Sequence, residues 1–135
     1  MINNRTKIYP YILYNMIKQV GIATIAMLML DGVYLNAIGT QYGEQVAKVQ
    51  RTAMNIKMSG VVACYLFLII GLYYFILKEN RSVFDAFLLG VVIYGVYDAT
   101  TYAVFKHWSP FLAITDTLWG GILFALTTAA VYYLA

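Results

Sequence analysis

Four apolar runs, each about as long as a bilayer is thick, dominate this chain at about 19–39, 57–77, 83–105 and 110–134. Roughly 20 consecutive apolar residues cross the hydrocarbon core as a helix. Lipid offers the backbone no partners, so each span must pair its polar groups internally. Only 11% of the 135 residues are charged and 62% are hydrophobic, more apolar surface than a water-soluble domain of this size can hide. The expected fold is all-α: an integral membrane four-helix bundle, one transmembrane domain, with the lipid bilayer as its partner.

The connections differ in kind. Residues 78–81 and 106–110 are tight turns, and Pro110 suits the first turn of the fourth helix. Such turns predict that successive helices pack as antiparallel neighbours. Residues 41–56 instead carry Tyr42, Val46, Val49, Ala53 and Ile56 at alternating spacings of four and three, with Glu44 four residues before Lys48. That pattern predicts an amphipathic helix between spans one and two, lying along the bilayer surface.

Charge says little about orientation. Arg5, Lys7, Lys18, Lys78 and Arg81 fall on the side of the N-terminus, and Lys48, Arg51, Lys57 and Lys106 on the other, a slight excess that favours cytoplasmic termini. Tyr9, Tyr11, Tyr14, Tyr73, Tyr74, Tyr132 and Tyr133 form an aromatic belt at one interface, with Tyr42 and Trp108 at the other. The basic residues are dispersed, so nucleic acid is not an expected partner. Cys64 is the one cysteine, which excludes an internal disulfide and a thiolate metal cluster.

Chemistry concentrates at three aspartates inside the spans: Asp31, Asp98 and Asp116. Each costs roughly 2.5 to 3.5 kcal/mol near a bilayer centre on insertion scales, so all three should face the interior and find partners. Counted at about 1.5 Å per residue from the nearer end of each span, they lie at a common depth of about 9 to 12 Å and can share one layer. Lys57 enters span two from the same surface and can approach them or snorkel to headgroups. Donors stand on the same helical faces: Tyr34 three residues after Asp31, Tyr94, Thr101 and Tyr102 around Asp98, and Trp119 three after Asp116. Small residues form stripes at Gly95, Ala99 and Ala103 in span three and at Thr117, Gly121, Ala125 and Ala129 in span four, suited to close packing within the bundle or between copies as a homo-oligomer.

The motifs around these aspartates, Leu30-Asp31-x-x-Tyr34-Leu35, Tyr97-Asp98-x-Thr100 and Thr115-Asp116-x-x-Trp119-Gly120, resemble a family of predicted four-span membrane proteins of unknown function. The family pattern reads Leu-Asp-x-x-Trp-Leu, Tyr-Asp-Leu-Thr-Asn, a tryptophan matched by Trp108, and Asp-x-x-Trp-Gly. Tyr34, Ala99 and Thr101 depart from it. The resemblance implies the bundle and the three aspartates but no reaction.

No phosphate loop, serine elbow or metal-spaced histidine set is present, and the lone histidine, His107, sits in a short loop. Neither a cofactor nor a metal is expected, and an enzyme is the less favoured class. The leading expectation is an aspartate-lined polar site that binds or passes a proton, a cation or a small polar ligand, shaped by Tyr34, Tyr102 and Trp119. The rivals are an accessory protein of membrane-lipid modification, a structural membrane component, and a polar knot that only fixes helix register.

Overall fold

A computed structural model describes the backbone of residues 4–51 and 55–135, and side chains from Pro10 onward. The described residues are helical apart from short connections: α1 Asn4–Gln50, α2 Met58–Leu72 extended by a π-helical turn Tyr73–Leu77, α3 Val83–Val104 and α4 Pro110–Leu134. Four helices, Pro10–Gln50, Met58–Leu77, Val83–Val104 and Pro110–Leu134, are long and apolar enough to cross a membrane.

The spans begin and end where local chemistry requires. Ser82 caps α3 by accepting from the Asp85 backbone N–H at 3.0 Å, and Ser109 caps α4 by accepting from Leu112 N–H at 3.4 Å. Pro110 occupies the first turn of α4, where a missing N–H costs nothing. The turns bend at Asn80 and His107, both in left-handed conformation at φ 51° and 67°, which Asn and His adopt more readily than most residues.

The amphipathic stretch takes a different form from a separate connector. It is helical as far as Gln50, but as a direct continuation of α1. No proline follows Pro10 until Pro110, and the two glycines at the junction, Gly39 and Gly43, are too weak as breakers to end a helix. At about 1.5 Å per residue, the 47 residues of α1 make a rod of about 70 Å, more than twice the roughly 30 Å hydrocarbon core. The apolar face of its final turns packs on protein: the Tyr42 ring meets Trp108 edge-on at 5.6 Å, the Tyr42 and Tyr97 hydroxyls are 3.0 Å apart, and Gln45 Nε2 donates to the His107 carbonyl. Ile56 is exposed beyond the helix end; Ala53 and the side chains of Arg5, Lys7 and Tyr9 lie outside the described residues.

The closest helix pair is α3 with α4. A Cβ on Gly90 would run into the Gly120 backbone, and one on Gly121 would meet Val91 at 2.6 Å and Phe87 at 2.7 Å; glycine permits this approach. Gly95 faces the Thr117 methyl, while Ala99 and Ala103 point outward. α4 also packs on α1, and α1 touches α2. Ala23, Met27, Leu72, Leu123 and Phe124, all fully buried, join these helices in one core. The tight turn after α2 does not make α2 and α3 close neighbours: their backbones stay apart along a seam.

Candidate functional site

Above that core, toward the end of the bundle where residues 51–57 join α1 to α2, the three aspartates meet. Asp98 lies six residues before the end of α3 and Asp116 six after the start of α4, about 9 Å in from each helix end. Asp31 and Asp98 are buried, at 8% and 2% exposure, and Asp116 is half-buried.

Donors reach these carboxyls mainly across helices. Trp119 Nε1 on α4 donates to Asp31 Oδ1 on α1 at 2.9 Å, and Tyr34 on α1 donates through its hydroxyl to Asp116 Oδ1 on α4 at 3.4 Å. Each helix carries Asp-x-x-aromatic, and the aromatic of each serves the aspartate of the other. This follows from antiparallel register: 31 stands level with 119 and 34 with 116, and the same stepping brings fully buried Met27 level with fully buried Leu123. The Tyr34 and Trp119 rings stack between the two bonds, centroids 4.7 Å apart and planes within 6°.

Asp31 Oδ2 accepts from the Tyr65 hydroxyl of α2. Thr117 Oγ1 lies 3.3 Å from Asp98 Oδ2 and 2.8 Å from the Ala113 carbonyl, so its single proton is contested. Six carboxyl oxygens thus face four side-chain donors, Tyr34, Tyr65, Thr117 and Trp119. The layer has acceptor capacity to spare. Among the described residues no lysine, arginine or histidine forms an ion pair with any of the three.

A cavity of about 410 Å³ leads to this layer between α1 and α2, with Asp31, Tyr34, Tyr65 and Asp116 in its depth and Tyr42 and Lys57 near its opening. The exposed Lys57 stands at the entrance and leaves the carboxyls unpaired. Tyr102, 53% exposed, lines a separate hollow between α3 and α4 together with Asp98. Thr101 is buried, and its hydroxyl donates to the Tyr97 carbonyl of its own helix at 2.7 Å. Tyr94 packs over Gly120 and against Phe124 edge-on, rather than donating to Asp98. Two donors stand outside the sequence expectation: Tyr65, whose level in span two no motif marks, and Thr117, beside Asp116 but read only as a small packing residue. The described residues contain no group of three or more His, Cys, Asp or Glu able to hold a metal ion.

A model of the family described as "Predicted membrane protein (DUF2177)" matches residues 16–133. No curated protein and no solved structure matches the chain.

Proposed function

Because the chain belongs to this family of predicted membrane proteins, whose description assigns no reaction, we propose from the site itself that it is a one-sided intramembrane receptor for a small hydrogen-bond-donating cation. The observation that carries this reading is the cavity of about 410 Å³ that ends on Asp31 and Asp116. The carboxyl layer has acceptors to spare, and Lys57, which lines the cavity, forms no ion pair with the carboxyls, so an entering ammonium-like group gains charge-assisted hydrogen bonds where neutral bonds would be weaker. Three neighbouring carboxyls without a basic partner repel one another when all are ionised, so the layer keeps at least one of them protonated, and release of that proton offsets the arriving charge.

Binding is favoured over conduction because the core between α1, α2 and α4 beneath the layer is filled. Met27, Leu72, Leu123 and Phe124 are fully buried directly below the layer, and a conducting path needs sites on both sides of such a plug. The test uses purified protein in detergent and in liposomes, with methylammonium as the probe. Wild type is expected to bind it with proton release and to give no flux above empty liposomes. Asp98→Asn, which keeps the shape and the hydrogen bonds but removes the titrating proton, should bind more weakly, release no proton and melt within a few degrees of wild type. Wild type with no methylammonium binding sinks the proposal; transmembrane flux replaces it with permeation.

A further inference from the structure

The seam between α2 and α3 raises a separate question, and its inner end shares Tyr94 and Asp116 with the cation cavity. Helices joined by a turn as short as residues 78–82 ordinarily pack together. Here each is committed elsewhere: α3 is drawn onto α4 by Gly90, Gly120 and Gly121, and Tyr65 of α2 is bonded to Asp31 of α1. The turn is pinned as well, with the Tyr132 hydroxyl donating to the Arg81 carbonyl at 2.6 Å. Two hollows therefore lie end to end along the seam. One of about 560 Å³ at the turn is walled by Phe75, Ile76, Leu88 and Val92; the next, about 520 Å³, runs past Phe67 and Ile93 to Tyr94, Tyr97 and Asp116.

From Asp85 to Tyr97 the seam follows α3 for about 18 Å, close to the depth of one leaflet, half of the roughly 30 Å hydrocarbon core. A helix from a second copy would need a groove crossing both leaflets. The mouth is charged with both signs: Glu79, Arg81 and Asp85 line the first hollow. Arg81 and Asp85 are 3.9 Å apart with side chains 60% and 41% exposed, a loose pair that can open to other partners. Lys78 lies over the Tyr74 ring at 4.9 Å, an interfacial anchor that puts this mouth at headgroup level.

We propose that the α2–α3 seam holds one acyl chain of a zwitterionic phospholipid, with Arg81 on the phosphate, Glu79 and Asp85 toward the ammonium, and the tail ending against Tyr94 and Tyr97. The apolar walls take the chain, and the paired signs at the mouth select a headgroup carrying both charges over a purely anionic one.

Native mass spectrometry of delipidated protein, titrated with phosphatidylethanolamine or phosphatidylglycerol of equal chain length, tests this. Wild type should take up one phosphatidylethanolamine in preference to phosphatidylglycerol. Leu89→Trp, which fills the first hollow, should weaken that uptake by about tenfold or more, while Val96→Trp, on an exposed position outside both hollows, should not. Val92→Trp repeats the test at a second position of the wall should Leu89→Trp fail to fold. Wild type without stoichiometric phosphatidylethanolamine, equal uptake by wild type and the seam variants, or equal affinity for phosphatidylglycerol overturns the proposal. A dimer that Leu89→Trp dissociates would also overturn it and give the seam to a second copy.

Discussion

Two tryptophans show how differently the same side chain can be used in one small bundle. Trp119 spends its indole N–H on Asp31 and its ring on Tyr34, whereas the Trp108 N–H is buried with no partner, its ring held between Tyr42 and Phe105. Trp119→Phe should therefore lower stability by about 1 to 2 kcal/mol, since it leaves a buried carboxyl oxygen without its donor. Trp108→Phe should cost far less, or stabilise, because the lost N–H was already unsatisfied. Melting temperatures of the two variants beside wild type decide this, and a larger loss for Trp108→Phe would refute it. The acid layer was legible as three aspartates at one depth, because depth follows from counting residues along each span. The pairing within it was not. Spacing on one helix puts Trp119 near Asp116 and Tyr34 near Asp31, but a long ring reaches across to the neighbouring helix, and only the register of α1 against α4 decides which carboxyl it meets.

At the scale of elements, the bounds of α3 and α4 follow from local signals, a polar turn and a proline, and the structure puts them within a residue of the apolar runs. The form of α1 does not, because periodicity shows that residues 41–50 have an apolar face without showing whether lipid or protein covers it. Tyr42 meets Trp108, and Val46 and Val49 face Phe105 and Trp108 across a small hollow of about 180 Å³, so protein rather than lipid covers this face. If α1 is one continuous rod, Gly39→Ala should raise stability by about 0.5 to 1 kcal/mol, as an added Cβ there meets nothing within 4 Å. Were Gly39 a hinge between a span and a surface helix, the substitution would instead destabilise. The glycine contacts of α3 with α4 predict the opposite sign for Gly90→Ala, a loss of about 1 to 3 kcal/mol as the helices are pushed apart. Gly32→Ala, in open space on α1, is the matched control, and thermal unfolding in a single detergent reads all three.

For the whole molecule, four crossings predict that both ends of the four-span unit lie on one side: in a Cys64→Ser background, single cysteines at Tyr11, Ser82 and Ala135 should react from one side of the membrane and one at Ser109 from the other. The stacked exchange between α1 and α4 has a consequence in time. Membrane chains are inserted in order of synthesis, so span one meets the bilayer with Asp31 lacking its α4 donor, and Trp119 arrives 88 residues later. Until then the aspartate depends on Tyr65 and water, and the half-made bundle displays an acidic group that quality-control proteases can recognise. Completion of the fourth helix is what conceals it. Chains truncated after Phe105 and released from the ribosome should accordingly be degraded quickly, and released chains that include the whole of α4 should persist, so that the lifetime of the protein reports whether its first and fourth helices have closed on each other.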